Sequence, residues 1–207
     1  MRHLIQGFIV AAAVAIAIPV QAGFILTTDF VNATPGSNNF GANLPSHFTQ
    51  GVSQLLDISG PGTIEFFFDG KEAGFTNSFK SAIAGINFTQ AANDLSWNNQ
   101  TVSIGSGFFN PGSLMGDWLF DSLQGVTDQG IATNAFGIFF AGGGSLSGVD
   151  IGNIVHLGFD DQAGVVDDNH DDLMITAIFT PVPEPSTLLL IGAGLVAFRS
   201  RRRRNDA

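Results

Sequence analysis

The chain has 207 residues, with no cysteine, no tyrosine, twenty phenylalanines and 26 glycines. The lack of cysteine excludes a disulfide framework and thiolate metal sites. Between residues 23 and 181 only Lys71 and Lys80 face sixteen carboxylates, a net of −14 with histidines neutral; such a surface repels nucleic acid and anionic lipid, so no nucleic-acid partner is expected.

Met1, Arg2 and His3 give a short basic start, and Leu4 to Ile18 is almost wholly apolar. Val20 and Ala22 then stand at the −3 and −1 places of a small-residue cleavage site. This is the layout of a secretory signal peptide over residues 1–22, cut between Ala22 and Gly23 by signal peptidase after delivery to the secretion translocase. The apolar run is short for a membrane span, which needs about 20 residues.

Residues 23–181 are one domain's worth of chain. Glycine is abundant and helix signals are few, so the domain reads as short strands joined by turns. Phe24 to Phe30 is a first strand, and Asn32 to Ser46 a Pro/Gly/Asn-rich loop. Gln50 to Ile58 carries only a weak helical signal. Thr63 to Gly70 is aromatic-rich and ends on an Asp-Gly turn. Further strands are expected at Ile83–Thr89, Leu95–Ile104, Asp117–Asp121, Ala135–Ala141, Ile151–Phe159 and Leu173–Thr180. In the last of these, Leu173, Ile175, Ala177 and Phe179 share one face and Met174, Thr176, Ile178 and Thr180 the other, a period of two. The fold class is all-β, a single antiparallel sandwich of jelly-roll type. Trp97 and Trp118 are expected in the core, and alternation turns Glu65 to solvent between Ile64 and Phe66.

One stretch concentrates chemistry. Asp160-Asp161, a turn, then Asp167-Asp168-Asn169-His170-Asp171-Asp172 place six aspartates in thirteen residues. Like charges so close repel unless something neutralises them. Asp160, Asp161, Asp167, Asn169, Asp171 and Asp172 offer hard oxygen ligands of the kind Ca²⁺ takes at six to eight positions. Asp167, Asn169 and Asp171 match the start of an EF-hand loop, but Asp172 replaces its glycine and Ile178 its final glutamate, so it is not an EF-hand. Two other readings stand beside calcium: aspartates acting as turn residues that bond their own backbone, and a transition-metal site using His170 and Asp172. Gly158-Phe159-Asp160-Asp161 followed by Asp167-x-Asn169-x-Asp171-Asp172-Leu173 resembles the Gly-Phe-Glu-Asp … Asp-x-Asp-x-Asn-Asp-Leu/Val signature of an uncharacterised β domain on bacterial surface proteins. Asp160, Asn169 and Asp171 depart from it by oxygen-for-oxygen exchange.

The C-terminal segment, 182–207, has a different character. Val182-Pro183-Glu184-Pro185-Ser186 is stiffened by its prolines. Thr187 to Phe198 follows, apolar after Thr187, and its twelve residues would span only about 18 Å as a helix, short of a ~30 Å hydrocarbon core. Arg199, Arg201, Arg202, Arg203 and Arg204 close it as a membrane stop on the cytoplasmic side. Pro183-Glu184-Pro185, a short apolar helix and an arginine cluster resemble the PEP-CTERM sorting tail. That resemblance implies a Gram-negative host making extracellular polysaccharide, transient anchoring in the inner membrane, cleavage by an exosortase-like membrane protease, and release to the cell surface or exterior.

No enzyme is expected. There is no Gly-x-Ser-x-Gly elbow, cysteine nucleophile, His-Glu-x-x-His or phosphate loop, and no nucleophile–base–acid set can be assembled. Two functions remain: a structural or interaction protein of the surface or exopolysaccharide matrix, with Ca²⁺ as candidate cofactor, and a carbohydrate-binding module tethering extracellular polysaccharide to the cell.

Overall fold

The computed structural model describes residues 22–26, 38–50, 56–123, 129–130, 133, 135–141, 149–161, 169–182 and 192. Among these, thirteen strands run in chain order. They are β1 (Phe24–Leu26), β2 (His47–Gln50), β3 (Leu56–Ile58), β4 (Gly62–Gly70), β5 (Asn77–Ser81), β6 (Ile86–Gln90), β7 (Val102–Phe109), β8 (Trp118–Ser122), β9 (Gln129–Gly130), β10 (Phe136–Phe140), β11 (Val149–Gly152), β12 (Ile154–Phe159) and β13 (Leu173–Pro181). Helical structure among the described residues is limited to the 3₁₀ turns Gly41–Asn43 and Leu114–Gly116 and to Gly192. The fold is all-β, as the sequence predicts.

A six-stranded sheet in the order β2-β10-β12-β13-β4-β7 forms one layer, and every pairing in it is antiparallel. A four-stranded sheet, β6-β5-β8-β9, packs against it. A three-stranded sheet, β11-β1-β3, adds Phe24, whose ring lies 5.8 Å from Phe179 and 6.2 Å from Trp118. Period-two patterning drives this arrangement. On β4, Ile64, Phe66 and Phe68 are buried while Glu65 between them is exposed, and Glu65 accepts a hydrogen bond from the Ser103 hydroxyl at 3.2 Å. On β13, Leu173, Ile175, Ala177 and Phe179 enter the main core.

The core is largely phenylalanine, gathered around Trp118. That indole is fully buried and meets Phe24, Phe66, Phe79 and Phe109 edge-on at centroid distances of 5.2 to 6.4 Å. Edge-to-face contacts suit the ring quadrupoles and add to the area buried.

The other face of the six-stranded sheet is covered at one end. Phe40, Phe48, Phe139 and Met174 form a second, smaller apolar cluster there, with Leu44 and Trp97 partly buried against it. Trp97 is therefore a lid on this outer cluster rather than a residue of the main core. Beside it lies a buried polar chain. Thr176 donates to Asp69, which sits at a bulge of β4, and His156 Nδ1 lies 2.6 Å from Thr176 Oγ1. Asp69 also accepts the Gln100 N–H at 3.2 Å, and its carbonyl accepts the Asn98 N–H at 2.9 Å. This fastens a turn in which Asn99 and Gln100 adopt left-handed φ of 46° and 61°.

The structure differs locally from the sequence reading. Residues 82–85 form a turn, so β6 starts at Ile86 and not Ile83; residues 95–101 are irregular and β7 runs on to Phe109. The run expected at Ile151–Phe159 is two strands broken at Asn153. Of the weak helical stretch Gln50–Ile58, Gln50 ends β2 and Leu56–Ile58 is β3, while 51–55 fall outside the described residues.

The domain's two ends meet one turn. Gly23 donates its N–H to Ser59 Oγ at 2.9 Å and accepts the Ser59 N–H at 2.9 Å; Val182 donates to the Pro61 carbonyl at 3.1 Å.

Candidate functional site

The acidic cluster lies at the opposite end of β4 and β13, where β12 gives way to β13. Asp160 and Asp161 leave β12; Asn169 to Asp172 lead into β13. Asp160, Asp161, Asn169, Asp171 and Asp172 are all buried, as is His170 between them. Asp167 and Asp168 lie outside the described residues.

Backbone N–H groups fix several of these side chains. Asp172 accepts the Asp161 N–H at 2.7 Å and donates its own N–H to the Phe159 carbonyl at 3.0 Å. Asp171 accepts the Asn39 N–H at 2.6 Å, which pins the segment carrying Phe40 over the outer sheet face. Asn169 accepts the Asp171 N–H at 3.4 Å. Asp160 donates its N–H to the Ala135 carbonyl at 2.9 Å. To this extent Asn169, Asp171 and Asp172 act as turn residues, each accepting from a backbone N–H.

The glycine of the Gly-Phe-Asp-Asp motif has a steric role. A Cβ on Gly158 would fall 2.4 Å from the His170 carbonyl oxygen. His170 itself has a left-handed φ of 56°, and its ring stands edge-on to Phe48 at 5.1 Å. It therefore packs with the outer aromatic cluster, and the carboxylate grouping at this end does not include it.

Residues beyond the motif join it. Glu72, just past β4, donates its N–H to the Asp171 carbonyl at 2.9 Å, and carboxylate oxygens of Glu72, Asp171 and Asp172 lie within 4.8 Å of one another. Asn77 of β5 is fully buried and donates from Nδ2 to Asp161 Oδ2 at 3.0 Å and to the Asp172 carbonyl at 3.1 Å. Lys71 is buried nearby, but its ammonium donates to the Ala73 carbonyl at 2.9 Å and to Asn93 Oδ1 at 3.5 Å instead of to a carboxylate. No periodicity in the sequence links Glu72 or Asn77 to so distant a loop; the pairing of β4 with β13 brings Glu72 there, and Asn77 reaches it from β5 of the facing sheet.

Charge in this enclosure is costly. Burial pushes Asp172 up to about 8, with Asp161, Asp160 and Asp171 adding repulsion and the Asp161 N–H opposing the shift. Burial lowers the Lys71 ammonium, while Asp161, Asp172 and Glu72 pull it back up. An oxygen-only donor set with excess negative charge suits a hard divalent cation. Elsewhere, the Asp69–Thr176–His156 chain has the residue types of a nucleophile and base. Thr176 is fully buried and directs its proton at Asp69, so its hydroxyl is a structural link.

The C-terminal segment supplies the decisive comparison. Residues 181–204 match the PEP-CTERM protein-sorting motif. The chain carries a PEP-CTERM sorting signal. It is an exosortase-sorted extracellular protein, exported and transiently anchored in the membrane of a Gram-negative bacterium, and processed by an exosortase-like membrane protease. The PEP-CTERM match begins at Pro181, the last residue of β13, so the sorting signal starts where the sheet stops. Pro183, Glu184, Pro185 and the arginines at 199 and 201–204 lie outside the described residues, as does the signal peptide up to residue 21. Among the described residues no helix is long and apolar enough to cross a membrane. No curated protein and no solved structure matches the chain.

Proposed function

We propose that the β domain is a non-enzymatic structural or interaction component of the cell surface or exopolysaccharide matrix, stabilised by Ca²⁺ once outside the cell. The observation that carries this reading is a sorting signal joined directly to a strongly acidic sandwich. An acidic surface remains soluble and exchanges divalent cations with the exterior, where calcium is plentiful; the buried carboxylates give that cation a reason to bind the folded state.

The carbohydrate-binding alternative needs exposed aromatic platforms flanking a groove. Phe108, 52% exposed, is the aromatic among the described residues that stands furthest into solvent, while Trp97 is half-buried against Phe40 and His156. The matrix-structural reading is therefore preferred. The test is to compare the matrix of wild-type cells with that of cells lacking this protein, before and after washing with chelator. The reading expects the protein in the matrix fraction, release by chelator, and weaker matrix cohesion without it. Recovery of the protein entirely as a diffusible species with an unchanged matrix would overturn it, and specific binding of the host polysaccharide by the purified protein would favour the alternative.

A further inference from the structure

The aspartates of the β12–β13 connection stand next to each other in sequence, but the carboxylates that converge in space are not the same set. Glu72 arrives from the far end of β4, held by its N–H on the Asp171 carbonyl. Asp171 and Asp172 are oriented by the backbone N–H groups of Asn39 and Asp161. Such prior fixing reduces the ordering cost that a ligand site otherwise carries.

A second observation is independent of the carboxylates. Asn77 is fully buried, and its Nδ2 points at two acceptors, which settles the orientation of the amide. Its Oδ1 is left buried with no hydrogen-bond partner among the described residues. A buried amide oxygen left this way is destabilising, and only a donor or a cation relieves it. The carboxylates of Glu72, Asp161, Asp171 and Asp172 are acceptors, and the Lys71 ammonium is engaged by Ala73 and Asn93.

We propose that Glu72, Asp171 and Asp172, with the buried Asn77 side chain bonded to Asp161 and to the Asp172 carbonyl at their edge, form a Ca²⁺-class site that clamps the end of β4 and the start of β5 to the β12–β13 connection. This rests on the calcium-stabilised reading above and specifies its ligands: Glu72 enters the set, and Asp160 and Asn169 stand outside it. The donors are all oxygens, as a hard cation requires, and the clamp joins segments a hundred residues apart. Because these segments separate on unfolding, the cation binds the native state and stabilises it by mass action.

The test uses the exported protein, purified, stripped with chelator and titrated calorimetrically with Ca²⁺ and with Mg²⁺, alongside thermal melts. Glu72→Gln removes one charge from a half-buried side chain whose backbone bond is untouched; Asp160→Asn is the contrasting variant. Circular dichroism of the stripped proteins checks that both variants fold. The expected result is one Ca²⁺ per chain, a raised melting temperature, at least tenfold weaker binding in Glu72→Gln, and a change of less than threefold in Asp160→Asn. Mg²⁺ should bind more weakly. If the wild type shows no Ca²⁺ response, both this site and the calcium-stabilised reading fail. If it responds but Glu72→Gln binds as tightly as wild type, the ligand set is wrong and the calcium-stabilised reading survives. Equal affinity for Mg²⁺ would overturn the assignment to calcium.

Discussion

Trp118 offers the sharpest test of how the core is held. It is fully buried among four phenylalanines, yet its indole N–H has no hydrogen-bond partner among the described residues. Trp118→Ala removes the whole ring. Large-to-small changes of this kind cost about 3–5 kcal/mol, and the lost edge-to-face contacts place this case at the upper end. Against a typical total of about 5–15 kcal/mol, that is a third or more of the fold's stability. Trp118→Phe is a different perturbation. It leaves a small void, worth about 1.5–3 kcal/mol of lost transfer and packing. It also deletes the stranded N–H, regaining about 1–3 kcal/mol. The two terms nearly cancel, so Trp118→Phe should fall within about 1.5 kcal/mol of wild type while Trp118→Ala loses about 5. Urea unfolding followed by circular dichroism measures both. A Trp118→Phe loss above about 3 kcal/mol would refute the reasoning, because the indole N–H would then be contributing a bond.

Three further outcomes are expected. Gly158→Ala drives a Cβ to 2.4 Å from the His170 carbonyl oxygen, so the variant should lose several kcal/mol, on the order of the larger single-site effects, read as a lowered melting temperature or failure to accumulate. In chelator, Asp172 keeps its proton in the folded chain up to about pH 8 but loses it near its ordinary value of 3.8 when unfolded. Stability from this group is thus fully present below pH 3.8 and is lost as pH rises towards 8, with a slope of at most about 1.4 kcal/mol per pH unit. Asp172→Asn should flatten that component, and parallel pH profiles for the two proteins would contradict it. Replacing Pro183, Glu184 and Pro185 together by alanine should leave the exported chain uncleaved in the inner-membrane fraction on cell fractionation, whereas wild type moves outward; unchanged processing would remove these residues from the recognition step.

The strongly patterned strands were legible in the sequence. β4, β10, β12 and β13 carry enough aromatic and branched residues, at period two or in unbroken runs, to be read directly. β5 was not: its buried positions include Asn77, Ser78 and Ser81, and polar residues at core positions defeat a hydrophobic pattern. Asn77 is there for Asp161 and Asp172, and Ser81 for Asp117, partners that only the tertiary fold brings near. The same limit applied to the candidate site. The run of aspartates announced itself by local density, and five of the six oxygen-bearing residues singled out from the sequence fall in the buried connection, with Asp167 outside the described residues. Glu72 could not be read as part of it, because a lone glutamate after an Asp-Gly turn looks like an ordinary solvated residue. The packing of His170 was not legible either: its left-handed backbone and edge-on contact with Phe48 depend on strands that the sequence does not place beside it.

The turn from Ser59 to Gly62 receives both the start of β1 and the end of β13. Cleavage after Ala22 would convert the Gly23 N–H into an ammonium already seated on Ser59, leaving no dangling leader stub. The segment that carries the sorting motif follows from that same turn, at Val182. Nine residues of β4 separate this corner from the acidic end, roughly 30 Å at about 3.3 Å per residue. Both described ends of the domain therefore meet at one corner of the sandwich, and the buried carboxylates lie at the far end of the strand that starts there.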